Sequence, residues 1–171
     1  MLFVRPIAAD DWLEYRRIRL QALEESPQAF ASTWEHEASL PNEDWSQRCR
    51  ASTAGEYGRG FFAVSGNDIC GLSWCLLSQD HAHMAHIYAM CTAPVVRGHG
   101  AGRMLLKHCL TWAQNKGLRH LQLSVTKGQT TAEQMYLSQG FYPVGEAEPT
   151  RLFRRQFILS HATLAGSSSW R

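Results

Sequence analysis

Hydrophobic and polar positions along this chain follow two rhythms. An extended start, Leu2 to Ile7, comes first. Trp12, Leu13, Ile18, Leu20 and Leu23 then fit one helical face only approximately. Asp10 stands where a carboxylate can accept the unpaired N–H groups of a helix start. Ser26-Pro27 breaks that helix, because proline lacks an N–H and restricts the residue before it. A second helical piece is predicted over Gln28 to Trp34, and a third from Pro41-Asn42-Glu43-Asp44 toward Ala51. Ser52 to Arg59 reads as a loop.

From Phe61 onward the rhythm is that of strands. Phe61 to Val64 and Ile69 to Leu77 flank Ser65-Gly66-Asn67-Asp68, a hairpin turn whose Gly and Asn tolerate positive φ. Ala85 to Thr92 follows a polar loop, Ser78 to His83, and the short links predict antiparallel pairing of all three strands. Pro94 ends this run, and Val95 to Gly102 is a glycine-rich loop. Arg103 to Lys116 is a helix whose Leu105, Leu106, Cys109, Leu110 and Ala113 form one stripe. Leu121, Leu123 and Val125 alternate as a strand, parallel to the preceding one because a helix intervenes. Thr131 to Gln139 is a short helix ended by Gly140, and Phe141 to Val144 and Leu152 to Leu159 are closing strands.

Length and charge narrow this picture. The 171 residues suit one domain, here 1–160, with 161–171 as a frayed tail. With 44% hydrophobic and 19% charged residues, disordered and collagen-like classes are excluded. A net charge of +2 argues against a dedicated nucleic-acid binder. No apolar run approaches the roughly 20 residues that span a bilayer, and the start is too short for a signal peptide. A cytoplasmic protein without membrane contact is expected. Cys49, Cys70, Cys75, Cys91 and Cys109 form no C-x-x-C pair, so they read as packing thiols in a reducing compartment.

Candidate chemistry concentrates in Thr92-Ala93-Pro94-Val95-Val96-Arg97-Gly98-His99-Gly100-Ala101-Gly102-Arg103. Successive N–H groups around glycines at a helix N-terminus form an anion cradle. Arg97 adds a charge-assisted contact. The dinucleotide fingerprint fails here, since it needs glycine where Arg103 stands. The P-loop fails because Gly102-Arg103-Met104 lacks its lysine and hydroxyl residue.

Arg97-x-x-Gly100-x-Gly102 resembles the R/Q-x-x-G-x-G/A signature of the GNAT superfamily of acetyl-CoA-dependent N-acetyltransferases. Ala132-Glu133-Gln134-Met135-Tyr136-Leu137-Ser138-Gln139-Gly140-Phe141 resembles a second segment of that family, A-x-x-L-Y-x-x-x-G-F. The order of elements over residues 2 to 160 agrees with it too. The resemblance implies an α/β (α+β) fold. Its sheet is twisted, mixed but mostly antiparallel, six- to seven-stranded and flanked by helices, and it splays at the two central parallel strands. It also implies acetyl-CoA as co-substrate, with no metal.

The same resemblance assigns roles. The backbone of Gly98, His99, Gly100, Ala101 and Gly102, with Arg97 and Arg103, would hold the pyrophosphate of coenzyme A. Met90, Cys91 and Thr92 would pair with the pantetheine arm, and the Met90 N–H would polarise the acetyl carbonyl. Gln129 stands where the family often has Asn against that arm. Tyr136 would act as general acid, since a phenol of pKa about 10 can protonate a thiolate. His86 would be the general base, directly or through water, at a place where one branch of the family carries Glu; the alternative is a water chain in its stead. Strand parity puts His86, Tyr88 and Met90 on one face. His81-x-His83-x-x-His86 resembles a metal ligand set only superficially, because His86 breaks the parity. Cys91 invites a ping-pong route through an acetyl-cysteine; direct attack in a ternary complex is the expected one.

The acceptor side is read from Phe30, Trp34, Glu35 and Glu37, an aromatic wall with carboxylates that suits a cationic amine, with Tyr88 positioning it. The expected substrate is a small-molecule or peptide amine. The alternatives are protein N-terminal or lysine acetylation, or a non-catalytic coenzyme A sensor. Homodimers are common in the family.

Overall fold

The computed structural model describes residues 1–146 and 154–160; the predicted tail, 161–171, and the first two residues of the last predicted strand lie outside the described residues. Strand β1 is Leu2–Pro6. Helix α1 is Trp12–Glu25, α2 is Trp34–Ala38 and α3 is Asn42–Ala54. Three strands follow, β2 Gly58–Ser65, β3 Asp68–Leu77 and β4 Met84–Thr92. Helix α4 is Ala101–Asn115, β5 is His120–Thr126 and α5 is Thr130–Ser138. Strands β6, Tyr142–Glu146, and β7, Arg154–Ser160, complete the order.

One seven-stranded sheet runs β1-β2-β3-β4-β5-β7-β6. Every pairing is antiparallel except β4 with β5, as the intervening helix predicts. That parallel ladder is short. It joins Met84–Ile87 to His120–Leu123 and then stops, although both strands continue. The two central strands therefore splay, leaving a wedge beyond Ile87 and Leu123.

The helices cover both faces. On one, Leu105, Leu106 and Cys109 of α4 are fully buried against Ala85, Leu121 and other strand residues, with Met135 and Tyr136 of α5 beside them. On the other, Tyr15 and Ile18 of α1 and Trp45 and Cys49 of α3 pack on Phe62, Leu72 and Trp74. The α4 stripe matches the predicted one. The α1 face does not. Its buried residues are Tyr15, Ile18, Arg19, Ala22 and Leu23, a regular i, i+3, i+4, i+7, i+8 face that includes an arginine, while Leu13 is exposed.

Local starts and stops also differ from expectation. Asp11 rather than Asp10 organises the entry to α1: its carboxylate accepts from the Ala8 N–H at 2.7 Å and pairs with Arg5 at 2.6 Å. The predicted helical piece over Gln28 to Trp34 is only a turn at Pro27–Ala29. The true helix α2 begins at Trp34, capped by the Thr33 hydroxyl, which accepts from the His36 N–H at 3.3 Å. Helix α3 runs three residues past Ala51, and Ser52 is part of it rather than of a loop. Among the described residues no helix is long and apolar enough to cross a membrane.

A bulge in β4 matters most for the site. Leu72 lies opposite Cys91 and Trp74 opposite Tyr88, so Ser73 alone spans Ala89 and Met90. Ala89 takes a left-handed φ of 54°. One extra residue reverses side-chain parity beyond it. Ala85, Ile87 and Met90 join the α4-side core, whereas Ala89 and Cys91 pack on the α1 side. The expected sharing of one face by His86, Tyr88 and Met90 is thereby corrected: the Met90 side chain lies on the opposite face from the other two.

Candidate functional site

The glycine-rich loop forms a cradle. Pro94–Val96 make one tight turn, and Gly98 and Gly100 take φ of 78° and 89°, which a side chain adopts only with strain. Gly100 then caps α4 without any side-chain hydrogen bond. The N–H groups of Ala101, Gly102 and Arg103 have no acceptor among the described residues. They stand at the positive end of a 15-residue helix, where an anion is favoured. His99 departs from its expected role, because its N–H donates to Val96 O at 3.2 Å. Arg97 is held from two sides. Its Nε donates to Thr92 O at 3.2 Å, and its Nη2 lies 2.7 Å from Glu25 at the end of α1. A phosphate arriving here meets an arginine already partnered by a carboxylate.

A cavity of about 850 Å³ occupies the wedge between the splayed strands. Ile87 to Met90 of β4 and Gln122 to Val125 of β5 line its middle. Gln129 and Tyr136 line the end under α5. Tyr136 is buried, its ring edge-on to Phe141 at 5.8 Å, and its hydroxyl donates to Met90 Sδ at 3.1 Å. So α5 and the bulge bring Tyr136 and Met90 together, on the side of the sheet away from His86. His86 lines the same cavity, its ring 5.8 Å from that of Tyr88. Burial pushes the His86 pKa below its ordinary value, aided by His81 and opposed by Asp80, so the imidazole is neutral at neutral pH. Burial pushes the neighbouring Cys91 thiol up to about 11, which keeps it protonated.

The other end of the cavity corrects the predicted acceptor wall. Phe30 lines it, but Trp34 and Glu35 are exposed and lie outside it. Glu37 does line it, yet its carboxylate is engaged. Arg19 Nε and Nη2 donate to it over 2.8 to 3.2 Å, in a pair whose side chains are only 8% and 7% exposed. Burial alone would push the Glu37 carboxyl up, but the Arg19 hydrogen bonds and charge, with Ser32 and Arg48, hold it below its ordinary value. The Arg19 guanidinium lies over the Phe30 ring at 4.6 Å. Arg48 of α3 reaches the cavity too, and its Nη1 donates to the Tyr15 hydroxyl at 3.3 Å. Sequence reasoning missed Tyr15, Arg19 and Arg48. The signal for the first two was their i, i+4 spacing on the core-facing side of α1; none marks Arg48.

The arrangement has the shape and donors that acetyl-CoA requires. Three adjacent free N–H groups at a helix start suit a pyrophosphate. An unpaired strand edge along β4, beside a cavity, suits an extended arm ending in a thioester near Met90 and Tyr136. The residues fit. Among the described residues no group of three or more His, Cys, Asp or Glu could hold a metal ion.

Comparison with known proteins agrees with this geometry. The sequence profile described as the acetyltransferase (GNAT) family matches residues 17–141. A search among curated proteins found no match. An acetyltransferase of the GNAT family from Streptococcus pneumoniae is similar in structure, with a TM-score of 0.81 at 20% identity, over 94% of this chain and 99% of that one. The structure of yncA from Salmonella typhimurium, solved with its cofactor acetyl-CoA, is similar at a TM-score of 0.77 and 13% identity, over 94% of each chain. A ribosomal-protein-alanine N-acetyltransferase from Brucella melitensis is similar at a TM-score of 0.75 and 17% identity, over 92% of this chain and 99% of that one. Such identities speak for the fold, while the matched profile, which spans well over half the chain, speaks for the family. This match, over a chain with the splayed strands described above, establishes that the chain belongs to the acetyltransferase (GNAT) family and uses acetyl-CoA for acetyl transfer.

Proposed function

We propose that the chain transfers the acetyl group of acetyl-CoA to a primary amine of a small molecule or peptide, by direct attack with both substrates bound. The observation that carries this reading is the continuity of the cavity. It extends from Tyr136 and Gln129, through the wedge between β4 and β5, to Arg48 and Tyr57 on the far side. One substrate can enter from each end, and the reacting atoms meet in the middle.

Acetyl-CoA supplies an activated acetyl carbon whose bond to sulfur breaks as the bond to the amine nitrogen forms. Three jobs then fall to this chain. The Met90 N–H stabilises charge on the acetyl oxygen; the bulge that frees Met90 from a one-to-one partner on β3 supports this role. Tyr136 gives a proton to the leaving sulfur, supported by its placement beside Met90, where a weak sulfur acceptor already holds its hydroxyl. His86 takes the amine proton, directly or through water, supported by its lowered pKa. Ala101, Gly102 and Arg103, with Gly98, Gly100 and Arg97, grip the pyrophosphate; Met90, Cys91, Thr92 and Gln129 face the arm. The raised pKa of Cys91 favours direct attack over an acetyl-cysteine.

Initial rates of thiol release, with acetyl-CoA and amine varied together, test the proposal. Intersecting reciprocal plots are expected. Parallel plots would overturn direct attack, and absence of thiol release with every amine would overturn the activity.

A further inference from the structure

Among the described residues that line the acceptor half of the cavity, the one carboxylate is Glu37, and Arg19 already holds it. Arg19 is 7% exposed, and its Nη1 is buried with no hydrogen-bond partner among the described residues. Trp74, 6% exposed, lines the same space, and its Nε1 is likewise buried without a partner. Among the described residues the Tyr15 hydroxyl is the one hydrogen-bond acceptor of Arg48. Burial pushes the Tyr15 phenol up against the opposing influence of Arg48, so this hydroxyl stays neutral and adds no negative charge.

The charges follow the same pattern. Among the described residues two guanidinium groups face one carboxylate, a positive excess where the sequence suggested an acidic wall. Arg19 Nη1 and Trp74 Nε1 lie behind the cavity wall with essentially no exposed surface, so Arg48, which is exposed, is the group a ligand reaches. A purely cationic polyamine finds neither a free carboxylate nor a favourable field here. An acceptor carrying an anionic group beside its amine finds Arg48, with the charge of the Arg19–Glu37 pair already balanced behind it.

We infer that the acceptor is a small molecule bearing a carboxylate as well as the amine, held through that carboxylate by Arg48 against the Tyr15–Arg19–Trp74 floor of the cavity. This rests on the proposed acetyl transfer to amines and adds the substrate class. Arg48 is itself an exposed residue at the edge of the α3 core face, so R48Q removes no buried side chain. Tyr57 and Tyr88, both exposed and lining the cavity, leave room for an apolar body between carboxylate and amine.

The test compares each of the common amino acids with its carboxamide and its decarboxylated amine, as acceptors for thiol release from acetyl-CoA, in the native chain and in R48Q. In parallel, calorimetry reads binding of the same amino acids to both chains loaded with coenzyme A. The expected result is a preference for acids in the native chain. In R48Q, kcat/KM for the preferred acid falls by roughly 10- to 100-fold, mostly through KM, with the decarboxylated amine little affected. Amides or decarboxylated amines used as well as the acids would overturn the inference. So would acids that bind R48Q as tightly as the native chain, or acids neither bound nor acetylated. Thiol release without acid preference removes the carboxylate site and leaves amine acetylation standing. Arg48-dependent binding of acids, with no thiol release from any amine, keeps the carboxylate site and removes amine acetylation.

Discussion

Replacing Glu37 by Gln strikes the one ion pair that, among the described residues, is buried on both sides. The carboxylate and the Arg19 guanidinium are joined by three contacts of 2.8 to 3.2 Å, with side chains 7% and 8% exposed. E37Q leaves Arg19 charged, because an arginine cannot shed its proton. It also leaves that charge largely buried on the wall of the cavity. Breaking one partner of such a pair costs about 3–5 kcal/mol. The Phe30 face at 4.6 Å stabilises the stranded cation by only about 0.5–2 kcal/mol, and it does so before the change as well. For a chain of 171 residues each kcal/mol shifts the melting temperature by about 2–4 °C, so E37Q should melt roughly 6–20 °C lower at neutral pH.

The double variant R19M/E37L removes both charges and should melt close to the native chain, or above it. The pH dependence gives an independent arm. The folded pKa of Glu37 lies below its unfolded value. Its stabilisation is therefore fully present above the unfolded value, about 4.3, and is lost as pH falls through the lowered folded one. E37Q should lack that part of the acid-side loss. Thermal unfolding between neutral and acid pH measures both effects. An E37Q melting curve that overlays the native one at neutral pH would refute the claim that this charge pair is buried and mutually dependent.

Three other substitutions probe the proposed chemistry. Y136F should lower kcat by roughly 10²- to 10⁴-fold while acetyl-CoA still binds, and an unchanged kcat would remove Tyr136 as the acid. The acid limb of kcat against pH should fall below about 6.5, because the lowered pKa keeps His86 neutral until more acid is added; H86Q should erase that limb. G100A forces a side chain into a φ of 89°, at a strain of roughly 1–2 kcal/mol. It should raise KM for acetyl-CoA more than it lowers kcat, and an unchanged KM would count against the cradle.

The strand order and the α4 stripe were readable from the chain because their apolar positions repeat without interruption. The acceptor wall was not, for two physical reasons. The buried face of α1 includes Arg19, and a charged residue on a core-facing position reads as solvent-facing until its partner is known. That partner, Glu37, lies 18 residues away on a helix of one and a half turns, too short to show a periodicity of its own. Thr33, with Glu35 and Glu37 in the turn it caps, was the available sign that α2 starts there rather than ends. The bulge had no sign at all. Bulges of this kind often carry glycine at the left-handed residue, and here the residue is Ala89, held by its neighbours in β3 and the α1-side core. Counting by twos from His86 to Met90 therefore crossed an inserted residue and ended on the wrong face.

The central claim is acetyl transfer to an amine, and one reaction measures it most directly. Acetyl-CoA is mixed with the chain and the amine panel, and free thiol and N-acetylated product are counted together by mass spectrometry. Equal amounts of both are expected with at least one carboxylate-bearing amine, no acetyl group left on the protein, and a joint loss in Y136F. Acetyl-CoA that binds yet yields neither thiol nor acetylated amine with any member of the panel would contradict that claim.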